Sequence, residues 1–166
     1  FLWKFLRMRP ANFPTIRLSQ LANLYFSQPN LFSKIIAAKS NADLHLILKN
    51  VKASEYWDNH FNFGKISPTD SPKLVSENFT NLVIINAFLP LKYHYNKNTE
   101  EEIAEEILKF YSEIPAEKNT ITESWKNLNI PMESALESQA FLYHFKNFCT
   151  PKKCLNCSIG LQLLKN

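Results

Sequence analysis

Residues 99–110 read Thr-Glu-Glu-Glu-Ile-Ala-Glu-Glu-Ile-Leu-Lys-Phe, and this stretch decides the fold class. Thr99 followed by Glu100, Glu101 and Glu102 is a capping box with acids in the first turn, where the helix dipole favours negative charge. Ile103, Ile107 and Phe110 recur at three- and four-residue intervals and share one face. Glu101, Glu105 and Lys109 fall on the other, with Glu105 and Lys109 one turn apart. Ile114-Pro115 stops the helix.

The same period extends in both directions. Downstream it predicts a short helix over 120–128, ended near Asn129 and Pro131, and a helix over 134–148 that is apolar on more than one face and therefore largely buried. A last short helix covers 155–164. Upstream, 73–89 reads as a long, mostly apolar central helix that Pro90 kinks or ends. Within it, Leu82-Val83-Ile84-Ile85 is the best strand candidate, but its flanks are helical. Residues 67–72 are a linker by their Ser, Pro and Asp content. Residues 55–65, rich in aromatics, have no clear period and read as a helical turn and a packed loop. Helices over about 41–51 and from Pro29-Asn30 through Ala38 precede them. Before these, Thr15 is the expected N-cap of a helix carrying Ile16, Leu18, Leu21, Ala22 and Tyr25. Residues 1–8 read as the end of a helix, and Pro10 and Pro14 bracket an extended segment. The expectation is an all-α chain, a single helical domain over residues 1–166 with about eight helices and a cysteine-containing C-terminal tail.

Composition narrows the function. The chain has 166 residues, 45% hydrophobic and 20% charged, enough to bury a core without disulfides. Its two glycines, Gly64 and Gly160, exclude a Gly-rich phosphate loop, a dinucleotide fingerprint and a nucleophile elbow. The longest apolar run, Leu82 to Leu91, is half of what spans a bilayer, so no membrane role is expected. With no visible signal peptide and three cysteines, a reducing, cytoplasmic compartment is expected.

Charge is unevenly placed. Residues 1–98 hold 12 basic and 5 acidic side chains, residues 99–137 hold 3 and 10, and residues 138–166 hold 4 and none. All three arginines, Arg7, Arg9 and Arg17, lie around Pro10 and Pro14. Their planar forks suit phosphate and carboxylate alike. The expectation is that they mainly hold the chain start against the acidic block and secondarily offer an anion-binding site, with nucleic acid as the partner that site admits.

The strongest chemical signal is Cys149-x4-Cys154-x2-Cys157. A C-x2-C pair can place two thiolates on one tetrahedral ion, and a third cysteine closes another side. Soft thiolates suit zinc or an iron–sulfur cluster, and zinc is the expected cofactor. The fourth ligand belongs to no motif. His144 is the nearest candidate, although five residues along a regular helix rotate it away from Cys149 unless the helix ends early. Against this stands the plainer reading of three ordinary thiols. Lys152 and Lys153 would also lower thiol pKa, which leaves a reactive cysteine as a further option.

Other constellations are weak. His45, His60, His94 and His144 match no metal spacing. Tyr56-Trp57 and Phe61-x-Phe63 could stack on bases, but in a glycine-poor helical domain they suit core packing better. Glu100–Glu106 is a solvated helix face with no acid followed two residues on by lysine. No catalytic constellation can be named, so enzyme activity stays undecided.

Three stretches together carry a resemblance: Trp3 through Pro10, Ala11 and Pro14 to Ala22; Tyr56-Trp57 to Phe63-Gly64; and Ser138-Gln-Ala through Cys149 and Lys153-Cys-Leu-Asn-Cys to Gly160. They resemble the C-terminal part of an uncharacterised family widespread in Bacteroidetes, a domain of unknown function. The resemblance implies a longer protein whose N-terminal part is similar to a restriction-endonuclease core, with no catalytic residue falling within this chain. It therefore points to a non-catalytic accessory domain that braces or assists the nuclease-like N-terminal domain of the same protein or its nucleic acid. The competing reading is a zinc-stapled structural domain with no other ligand.

Overall fold

Ser40, Asn119 and Ser134 each open a helix by accepting hydrogen bonds from the backbone of its first turn, and in all three the N3 side chain answers back to the cap. Such caps satisfy amides that would otherwise be orphaned at a helix start. They punctuate a computed structural model that describes residues 4–5, 7–96 and 100–164. Within those residues the elements are overwhelmingly helical, and the only sheet is a two-stranded hairpin. The all-α expectation holds. The chain divides into two compact units, Phe1–Tyr95 and Asn96–Asn166.

The first unit contains α1 (Pro14–Ser27), α2 (Leu31–Ala37), α3 (Asn41–Leu48), the hairpin β1 (His60–Asn62) with β2 (Lys65–Ile66), α4 (Glu77–Val83) and α5 (Leu89–Asn96). Leu44, Ala53, Ile84 and Leu89 are wholly buried in it. Ile16, Ala53 and Trp57 form one cluster, with Phe13 and Phe61 packed against it. Residues 51–53 and 73–75 exchange backbone bonds, Ala53 N to Lys73 O and Val75 N to Val51 O. Buried Lys92 on α5 donates to the Ile36 carbonyl of α2 at 2.8 Å.

Several boundaries differ from expectation for identifiable reasons. Thr15 is not the cap of α1: Pro14 occupies the first turn, where its missing N–H costs nothing, and the buried Thr15 hydroxyl donates to the Phe61 carbonyl. The described residues among 1–8 form no helix, since Arg7 sits at φ 52° and the Met8 amide bonds Phe5 O. The central helix starts at Glu77, capped by Ser76, and Pro90 does not end it. A π-turn over Ile84–Phe88 precedes the proline. That widened turn relieves the clash between the proline ring and the preceding carbonyls, and the Asn86 side chain donates to Leu82 O. The strand candidate at 82–85 is thus helical, while the aperiodic aromatic segment supplies the hairpin, turning at Gly64 with φ 67°.

The second unit contains α6 (Glu100–Glu113), α7 (Thr120–Lys126), α8 (Ala135–His144) and α9 (Ser158–Leu164). Ile103, Ile107 and Phe110 of α6 are buried as their spacing requires, with Ile114, Thr122, Met132, Ala135 and Ser138. The Thr99 capping box lies outside the described residues. Ile114 O accepts from Ala135 N, and the Ser138 hydroxyl accepts from Glu117 N. The expectation that 134–148 is largely buried fails: Ala135 and Ser138 are buried but Tyr143 is exposed.

Candidate functional site

The cysteines occupy the end of the second unit. Regular α-helix stops at His144, and a π-turn runs from Phe145 to Cys149, closed by Thr150 N donating to Phe145 O. Because a π-turn closes over five residues rather than four, it lessens the rotation that separates positions five apart on a regular helix. Lys152, at φ 55°, reverses the chain. A 3-10 turn over Cys154–Asn156 then delivers Cys157, and α9 begins one residue later.

Cys157 is buried, and its Sγ lies 3.4 Å from His144 Nε2, within hydrogen-bond reach. The Gly160 amide donates to the same sulfur at 3.5 Å. Phe148 stacks on the imidazole at 5.1 Å between ring centroids, and Trp125 meets it edge-on at 6.1 Å. Cys149 and Cys154 are exposed. Desolvation pushes the Cys149 thiol above its ordinary pKa, and the neighbouring Cys157 and Cys154 sulfurs push it the same way. That overturns, for Cys149, the expectation that Lys152 and Lys153 depress it. Among the described residues no three His, Cys, Asp or Glu side chains are grouped as a metal-binding set.

The arginines separate into two kinds. Arg17, on α1, donates from Nη1 to Gln20 Oε1 at 2.8 Å and from Nη2 to Asn12 Oδ1 at 2.5 Å. Its guanidinium lies 3.4 Å from the centroid of the Phe79 ring, a cation–π arrangement. Gln20 is itself buried and donates to Lys73 O. Arg17 therefore ties the segment before α1 to its own unit through neutral amides and an aromatic ring, which are not the acidic partners the sequence suggests. Burial lowers its pKa, and its buried Nε has no partner. Arg7 and Arg9, flanking the 3-10 turn Pro10–Asn12, are exposed.

Beside Arg17 the first unit opens an apolar cleft of about 510 Å³, lined by Leu18, Leu21, Leu24, Leu48, Val51 and Phe79. Its size falls within the ~300–1,000 Å³ of typical binding pockets. Leu18 is 49% and Leu21 47% exposed. The helical period identifies these leucines as one face of α1 but cannot say that this face is left half open. The histidines outside the cysteine cluster include His45, whose ring bonds Asn41 O and Asn81 Oδ1, and His60, stacked on Tyr56 at 4.2 Å. Tyr56, Trp57 and Phe63 pack on one another, but only Trp57 joins the core; Tyr56 and Phe63 are exposed. Among the described residues no helix is long and apolar enough to cross a membrane.

Comparison with curated proteins and with solved structures returns no match. The family model described as "Protein of unknown function (DUF2851)" matches residues 1–120, which takes in the arginine segment, the cleft and α6 and stops before the cysteines. That match spans well over half of the chain, which therefore belongs to the DUF2851 family of proteins of unknown function.

Proposed function

We propose that this chain is a non-catalytic accessory domain that docks on and braces a nuclease-like domain of the same protein. The supporting observation is the cleft. Its lining is almost entirely aliphatic and aromatic, two of its leucines are half exposed, and Arg17 at its edge is already committed to Asn12, Gln20 and Phe79. An open apolar patch of this kind marks a protein contact far more readily than a site for bond-making chemistry.

The test is association in trans. The nuclease-like region that the family resemblance places upstream is expressed separately and titrated with this chain. Binding is expected, and Leu21→Glu is expected to weaken it by at least about tenfold, since a buried interface charge costs well over 1.4 kcal/mol. Because Leu21 is half exposed, folding should change by less than about 1 kcal/mol. Absence of binding, or binding indifferent to Leu21→Glu, overturns the reading. The first unit's basic excess, 11 basic against 5 acidic side chains over residues 1–95, favours a second role in holding the nucleic acid on which such a domain acts.

A further inference from the structure

We propose that His144, Cys149, Cys154 and Cys157 together bind one Zn2+ as a closed structural site. The chain path brings one pair of these residues together, His144 and Cys157. The π-turn over Phe145–Cys149 and the reversal at Lys152 lead back to the 3-10 turn, which carries Cys154 and Cys157 at the spacing that lets two sulfurs share an ion. His144 Nε2 and Cys157 Sγ are 3.4 Å apart; two ligands of one tetrahedral zinc, each about 2.0–2.3 Å from the ion, sit at a comparable separation. Cys149 and Cys154 are exposed, and metal binding requires their side chains to turn toward Cys157.

The surroundings are those of a ligand set. The Gly160 amide points at Cys157 Sγ, the outer hydrogen bond that steadies a metal-bound thiolate. A Cβ on Gly160 would stand 2.4 Å from the Cys154 carbonyl oxygen, so one of the chain's two glycines is placed where the loop carrying Cys154 closes onto α9. Phe148 and Trp125 hold the imidazole ring. Binding would release three thiol protons to solvent, leaving three thiolates and a neutral histidine on Zn2+ with a net charge of −1. Lys146, Lys152 and Lys153, the nearest charged residues in sequence, offset it. With all four positions filled by protein, no site remains for water or substrate, so the ion is a staple rather than a catalyst.

The test uses the whole chain, reduced and equilibrated with Zn2+ or Co2+. Elemental analysis should give one zinc per chain. Co2+ should give the intense visible bands of a tetrahedral thiolate site, and Zn2+ should abolish them. In the loaded protein the three cysteines should resist a thiol reagent until a chelator is added. Cys154→Ser and His144→Ala should each weaken metal binding at least about tenfold, and His94→Ala should leave it unchanged. Three freely reactive thiols in folded, zinc-equilibrated protein, or an octahedral cobalt spectrum, would overturn the proposal without reliance on any variant.

Discussion

Arg17 and Gly160 show how one residue fixes its surroundings. Arg17 links Asn12, Gln20 and the Phe79 ring, joining the segment before α1 to α4. Removing it leaves Gln20 Oε1 and Asn12 Oδ1 without that donor and strips the packing from the ring, so Arg17→Ala should cost about 1–3 kcal/mol. Denaturant midpoints would check it, and an unchanged midpoint would refute the bracing role. Arg17→Lys should recover little, because an ammonium cannot reproduce the fork. Gly160 is constrained differently. Its backbone is not left-handed, so the demand is for space: Gly160→Ala drives a methyl into the Cys154 carbonyl. The start of α9 must then shift. Amide exchange should speed up over 154–164 while α6 keeps its protection; uniform protection across both would show that the close approach is not essential.

Two π-turns and one locally packed aromatic segment separate the legible elements from the illegible ones. The helix α6 was readable because its apolar positions repeat and its outward face is charged; Ile103, Ile107 and Phe110 are buried accordingly. The expected 73–89 helix differs at both ends: residues 73–75 pair with 51–53 and Ser76 caps the helix at Glu77, while Pro90 follows a π-turn rather than ending a regular α-helix. The hairpin at 60–66 lay in a segment whose aromatics pack locally and give no period. At the cysteines the spacing is legible in the sequence, but the π-turn over Phe145–Cys149 is not, since five-residue closure leaves no mark in composition.

Capping also carries a pH dependence. Glu137 accepts from the amides of Ser134 and Glu133 and from the Ser134 hydroxyl, and these bonds hold its carboxyl below its ordinary value of 4.5. Its folded pKa is thus lower than its unfolded one. The stabilisation is fully present above pH about 4.5 and is lost as pH falls through the folded value. Glu137→Gln should therefore flatten the acid limb of a stability–pH curve while changing little in its shape above pH 5. Ser134→Ala should cost about 1 kcal/mol at neutral pH through the lost cap. Acid limbs that coincide for wild type and Glu137→Gln would show that other carboxylates, Asp43 with its own depressed pKa among them, govern the loss.

Across the whole molecule, charge is divided as the fold is. Residues 1–95 hold 11 basic and 5 acidic side chains, and residues 96–166 hold 8 and 10. If the proposed nucleic-acid role holds, a polyanion should be drawn to the first unit, with exposed Arg7 and Arg9 beside the Pro10–Asn12 turn as its expected contacts. Arg17 is not, because each of its Nη atoms already donates to Gln20 or Asn12 and its guanidinium lies over the Phe79 ring. The three arginines then give separable phenotypes. Arg7→Ala with Arg9→Ala should leave the melting temperature within about a degree, since both side chains are exposed and Arg9, the N-cap of the Pro10–Asn12 turn, makes no side-chain cap bond. The same pair should lower duplex DNA affinity and reduce the slope of log K against log salt by up to about 1.8, each phosphate contact contributing ~0.9. Arg17→Ala should do the reverse, lowering stability and leaving the slope alone. A salt slope that survives loss of Arg7 and Arg9 would move the contact to the first unit's lysines; no measurable DNA binding at low salt would remove nucleic acid from the proposed role and leave docking at the apolar cleft as the reading to test.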